Sequence, residues 1–163
     1  LRRLLRGEGE IDPQTELFLF AASRAQLVRE VIRPSLERGV LVISDRFFHS
    51  TIAYQGYGRG LDFAIIEEVN GIATEGLCPD LVVLPDVSVE EGLARKRLRD
   101  RFEKEELAFH KRVREGYLEM AGSDPKRWLV VDAALPRQQV TRLIWERVTN
   151  LLSESGLTPG AAL

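Results

Sequence analysis

The sequence predicts an α/β fold, a parallel sheet flanked by helices. Two observations carry this. Short, continuous, mostly β-branched runs stand at Val40-Leu41-Val42-Ile43, Leu81-Val82-Val83-Leu84 and Leu129-Val130-Val131, the pattern of strands buried on both faces. Longer segments with apolar residues at helical spacing separate them, which reads as βαβ units.

At the N-terminal end, Leu1-Arg2-Arg3-Leu4-Leu5-Arg6 reads as the tail of an amphipathic helix, and a first residue other than Met suggests the N-terminally truncated part of a longer chain. Asp12-Pro13 is a helix start, Asp as N-cap and Pro at the first helical position. Leu17, Phe20, Ala21, Arg24, Leu27, Val28 and Val31 then keep a period near 3.6. Pro34 is expected to kink or break that helix and Gly39 to stop it. The run Val40–Ile43 is the first strand. A Gly-rich loop is expected at Gly56-Tyr57-Gly58-Arg59-Gly60. Asp62 can cap a helix carrying Ile65, Ile66, Val69, Ile72 and Ala73, closed by Gly76 and Pro79. Leu81–Leu84 is the second strand, and Ser88 with Glu91 forms a capping box. The cation-dense stretch Arg95 to Arg101 reads as a mobile segment. A helix is expected from about Glu103 to Met120, a third strand at Leu129–Val131 and a last helix from Arg137 to Leu152. Residues 1–152 form one domain on this reading, and Ser153 to Leu163 a flexible tail.

Composition narrows the function. The 163 residues are 44% hydrophobic and 29% charged, suited to one globular domain. A net charge of −2 gives no positive field to attract nucleic acid. Cys78 is the only cysteine, so neither an internal disulfide nor a cysteine metal cluster can form, and a reducing, cytoplasmic setting is expected. No apolar run approaches the roughly 18 residues that span a membrane.

In parallel sheets ligands collect at the carboxyl ends of strands, where Asp45-Arg46 and Asp86 lie. A carboxylate at Asp45 can hold hydrated Mg²⁺ or orient a nucleophile, and Arg46 can grip a phosphate bidentately. The alternative is a surface ion pair. Phe20 and Arg24, four apart on one helix, can stack a base and bond its edge, or can be core and solvated cation respectively. Thr51 and Gln55 repeat the four-residue spacing, and an amide offers the donor and acceptor a pyrimidine edge requires. The loop glycines do not have the G-x-G-x-x-G spacing. Arg95, Arg97, Arg99 and Arg101 fall within seven residues, either a solvated face or a lid over transferring phosphates. His49 and His110 are isolated and read as structural or surface residues.

Taken together, several strings resemble the thymidylate kinase family: Phe20-Ala-Ala-Ser-Arg24-Ala-Gln26, Ser44-Asp45-Arg46-Phe47, Ser50-Thr51-Ile-Ala-Tyr54-Gln55-Gly56-Tyr-Gly-Arg59-Gly60, Gly76-Leu-Cys-Pro79-Asp80-Leu81, Asp100-Arg101-Phe-Glu103 and Phe109-His-Lys-Arg-Val-Arg-Glu-Gly116-Tyr117-Leu118. The resemblance runs from Leu1 to about Val148. It implies a P-loop NTPase-like nucleoside monophosphate kinase fold with its first strands missing, and phosphorylation of dTMP to dTDP with ATP and Mg²⁺. Phe20 would stack on thymine, Arg24 would bond its carbonyl edge, and Thr51 and Gln55 would complete the base contacts. Tyr54 would lie against the deoxyribose. Arg2 and Arg46 would clamp the dTMP phosphate, Asp45 would organise Mg²⁺, and Arg101 and Arg97 would reach the transferred phosphoryl group. Phe20, Arg24, Arg46 and Gln55 are expected around one cavity. The resemblance also implies a homodimer.

Two departures stand out. The family's Leu-Leu-Asp-Val reads Leu84-Pro85-Asp86-Val87 here, so pairing is expected to end or bend at Pro85. No Gly-Lys-Ser/Thr occurs, so no P-loop for ATP is present in the 163 residues. The chain alone is therefore expected to be inactive and marginally stable. The alternatives are a non-catalytic nucleotide-binding module and a kinase for another pyrimidine nucleotide.

Overall fold

The computed structural model describes residues 11–95 and 105–156. Arg2, Arg97, Arg99 and Arg101, the Leu1–Arg6 segment and residues 157–163 lie outside the described residues.

The first helix, α1 (Pro13–Leu27), begins as its sequence dictates. Asp12 accepts from the backbone N–H of Gln14 at 2.9 Å and of Thr15 at 3.2 Å, with Pro13 in the first turn. Pro34, contrary to expectation, does not break the helical rod. The rod widens into a π-helical segment, Val28–Ile32, and resumes as α2 (Arg33–Glu37). The Arg33 N–H donates to the Val28 carbonyl, five residues back. That spacing carries the hydrogen-bond rungs past a proline that has no N–H and crowds the carbonyl four residues before it. Gly39, at φ 74°, ends the rod.

Residues 40–43 form no strand, contrary to expectation. They are irregular, and Ile43 is 89% exposed. A strand exists only through a neighbour's ladder, and among the described residues they pair with none. The expected Gly-rich loop is likewise helical: α3 (Phe48–Thr51) runs into a π-helical segment, Ile52–Gly58. Its glycines serve close packing. A Cβ on Gly56 would lie 2.5 Å from Phe63, and one on Gly58 2.6 Å from Phe109. Only Gly60, at φ 77°, uses glycine's backbone freedom.

Asp62 caps α4 (Phe63–Thr74), accepting from the Ala64 N–H at 2.8 Å, and left-handed Glu75 and Gly76 end it. Strand β1 (Val82–Asp86) leads to α5 (Val89–Ala94), capped by Ser88. Then come α6 (Leu107–Ser123), β2 (Trp128–Asp132) and α7 (Arg137–Glu154). The first two residues of the expected tail are thus helical.

β1 and β2 pair in parallel, Val82 opposite Trp128 through Asp86 opposite Asp132. The ladder does not stop at Pro85. Val82 donates to Arg127 and Ala133 donates to Asp86, so the even-numbered residues of β1 bond to β2. In a parallel pair the alternate residues face away, which leaves the Pro85 nitrogen on the far side, where no bond to β2 is lost.

The core that positions the site lies between the second π-helical segment and α6. Ala53, Phe109 and Val113 are buried together, with Tyr54, Tyr117 and Met120 packed on them. Arg112 of α6 donates to the Gly58 carbonyl at 2.9 Å, tying down the segment's end. Leu17, Val28 and Ile66 are fully buried on α1, the first π-helical segment and α4, each contributing about 1.5–3 kcal/mol by removal from water. Among the described residues no helix is long and apolar enough to cross a membrane.

Candidate functional site

Helix α1 presents Glu16 and Arg24 to the interior, two four-residue steps apart, and both are buried. Phe20 lies half-buried between them in sequence. Arg24 donates to Thr51 Oγ1 at 2.6 Å and to Asn70 Oδ1 at 2.8 Å, which joins α1, α3 and α4. Its guanidinium also stands 5.8 Å from the Phe47 ring centre, within cation–π range. Among the described residues no carboxylate pairs with it. Burial pulls its pKa down to about 10. Next to it, Gln55 Nε2 donates to Glu16 Oε1 at 2.7 Å.

A second set lies on the other side of Phe47. Arg46 is held at φ 71°, a left-handed backbone that costs a non-glycine residue about 1–3 kcal/mol. Ser44 Oγ steadies it by donating to the Arg46 carbonyl at 2.7 Å. The Arg46 guanidinium lies over the Tyr54 ring at 5.1 Å. Asp45, Arg46 and Tyr54 line a cavity of about 640 Å³, together with Phe47, His49 and Tyr117. Arg46, Tyr54 and Tyr117 also border a smaller cavity of about 290 Å³ reaching Asp86. Tyr117 donates to Ser50 Oγ at 2.7 Å, and burial raises its pKa, so it stays a phenol. Asp86 is taken up by a bidentate ion pair with Arg114, both bonds 2.7 Å.

The predicted residues therefore fall into three groups. Arg24 and Thr51 belong to one buried hydrogen-bonded set with Asn70, and Gln55 to another with Glu16. Asp45, Arg46 and Tyr54 share a cavity wall. Phe47 touches the first and the last, because it adjoins Arg46 in the chain and receives Arg24. Of Phe20, Arg24, Arg46 and Gln55, Arg46 lines both cavities described.

The family model described as Thymidylate kinase matches residues 1–144, most of the chain. The chain belongs to the thymidylate kinase family. A thymidylate kinase of Thermomicrobium roseum is 49% identical over 160 residues, covering 96% of this chain and 76% of that protein. One from Thermosynechococcus vestitus is 51% identical over 146 residues, covering 88% of this chain and 61% of that one. The crystal structure of thymidylate kinase from Ehrlichia chaffeensis superposes with a TM-score of 0.72 at 31% identity, over 91% of this chain and 72% of that one. The P-loop nucleoside monophosphate kinase fold expected from the sequence is thus the fold of this thymidylate kinase family chain.

Three residues of these buried sets and the cavity wall escape a reading of the sequence: Glu16, Asn70 and Tyr117. Glu16 lies one turn before Phe20 on the same apolar face, and an acidic residue inside a periodic stripe is the available signal. Asn70 has an equivalent signal, standing among Ile66, Val69 and Ala73. Tyr117 has none beyond its place in a family string.

Proposed function

We infer that the chain acts in the phosphorylation of dTMP to dTDP with ATP, and that it supplies the dTMP side of that reaction. The observation that carries this is the place of Phe47: the buried Arg24 faces its ring, and it lines a cavity with Asp45, Arg46 and Tyr54. On this reading Arg24 bonds a thymine carbonyl, and its lack of a carboxylate partner among the described residues leaves its charge for that oxygen. Thr51 holds Arg24, Gln55 meets the base edge, Phe20 stacks and Tyr54 lies against the sugar. Arg46, with Arg2, holds the dTMP phosphate, and Arg97 and Arg101 reach the transferred group.

The nucleophile is a phosphate oxygen that is already anionic, so no strong general base is required. Positioning and charge neutralisation carry the rate. Among the described residues no group of three acidic, His or Cys side chains could cage a metal. Mg²⁺ chemistry needs only one or two carboxylates and substrate phosphates. Asp45 is the carboxylate that would hold it, and the ion would neutralise phosphate charge. Residues 1–152 form one catalytic-family domain on this reading, in a cytoplasmic setting that suits an exposed free Cys78. The working unit is a homodimer, supported by the outward-facing apolar residues Phe18, Ile65 and Ile72.

Because the 163 residues hold no Gly-x-x-x-x-Gly-Lys-Ser/Thr, binding is the direct readout. Calorimetric titration should show dTMP binding in preference to dGMP, and Arg24→Ala should weaken dTMP binding about 10- to 100-fold, the scale of one charged hydrogen bond. Equal binding of dTMP and dGMP by the unsubstituted chain would sink the reading.

A further inference from the structure

We propose that Glu16 is a positioning residue that fixes the Gln55 amide in one orientation and thereby sets the site against cytosine. The inference rests on the dTMP reading above and deepens it.

Glu16 is 0% exposed and Gln55 1% exposed. A carboxylate buried this deeply requires a reason, because its desolvation is costly unless it is paired and hydrogen-bonded. Glu16 has both kinds of partner. Arg59 Nε stands 3.6 Å from Oε1, and the same oxygen accepts from Gln55 Nε2 at 2.7 Å. Arg59 in turn is anchored by Glu105 at 2.7 Å and by the Phe109 ring at 4.8 Å. An arginine-paired carboxylate accepts hydrogen bonds and does not donate them. The Gln55 amide therefore has one workable orientation, with its NH₂ toward Glu16. A flipped amide would set carbonyl oxygen against carboxylate oxygen in a buried site.

The consequence is a fixed acceptor. With Nε2 committed, Oε1 is the acceptor Gln55 has to offer. On the dTMP reading Arg24 meets the same base edge, and a guanidinium can only donate. A donor next to an acceptor complements the carbonyl and ring N–H of thymine or uracil. Cytosine presents the opposite pair, an amino group and a bare ring nitrogen. Rejection of this kind is strong when the polar groups are buried, because a mismatched ligand leaves them unpaired. A glutamine alone would not achieve it, since a free amide turns over and serves either base.

The test titrates the 163-residue chain with dTMP and dCMP, unsubstituted and as Glu16→Gln, with a thermal melt of each. Glutamine at position 16 matches the shape and can donate or accept, so the Gln55 amide is released. The expected result is a roughly tenfold fall in the dTMP-over-dCMP ratio, the worth of about one hydrogen bond, with a cooperative melt retained. A ratio that survives Glu16→Gln overturns the proposal and leaves the dTMP reading intact, as does equal weakening for both nucleotides. An unsubstituted chain without preference for dTMP overturns both. If the variant does not fold, side-chain amide exchange in the unsubstituted chain decides. Slow exchange of the Gln55 NH₂ supports the locked amide, and exchange as fast as that of an exposed glutamine overturns it.

Discussion

His49 shows how a side chain near the cavity acquires an unusual charge state. It stacks on Phe48 with ring centres 4.0 Å apart and meets the edge of Trp128 at 5.0 Å. Burial, reinforced by the Arg127 and Arg24 charges, pushes its pKa down to about 4. In the unfolded chain the imidazole titrates near 6.5. Between those values the unfolded chain binds the extra proton, so stability falls as pH drops from about 6.5 to about 4 and is unaffected by His49 above that window. Denaturant midpoints measured across this range should decline less steeply in His49→Gln than in the unsubstituted chain. At this scale the sequence is only half legible. Arg24, Thr51, Gln55, Asp45, Arg46 and Tyr54 stand out as residues with chemistry. Their partition into buried hydrogen-bonded sets and a cavity wall does not, because it depends on Glu16 and Asn70, polar residues whose partners lie 39 and 46 positions away in sequence.

Elements are legible where their cause is local. Asp12-Pro13, Asp62 and Ser88 cap the helices expected of them, because a capping side chain reaches only two or three residues. Elements whose cause is a neighbour are not. Val40–Ile43 has the composition of a strand and no ladder among the described residues. The first π-helical segment answers to Pro34, whereas the second packs on α6, a neighbour that nothing beside it in the chain announces. Gly56 and Gly58 read as a loop for the same reason: their small size serves Phe63 and Phe109, and nothing beside them in the chain announces it. This yields a direct expectation. Gly58→Ala places a methyl 2.6 Å from the Phe109 ring and should destabilise the fold by about 1–3 kcal/mol through overpacking, read as a lower urea midpoint with an unchanged slope. A neutral result would mean that Phe109 and α6 can give way freely.

For the whole molecule, the outer surface matters as much as the interior. Ile72 is 73% exposed on α4, with Ile65 two turns earlier and Phe18 on the adjoining α1. Isolated exposed apolar residues are ordinary, but three large ones on two packed helices suit a second copy of the chain. Sedimentation equilibrium at tens of micromolar should report a dimer for the unsubstituted chain and a monomer for Ile72→Glu. A monomeric unsubstituted chain would end the homodimer proposal. The sheet has its own constraint. Since Pro85 turns its ring nitrogen away from β2, the outer side of β1 has a missing rung in mid-strand. A stray peptide zipping along that side would find an acceptor oxygen at 85 but no hydrogen to take, so continuous fibre-like growth from this border is interrupted at one defined step.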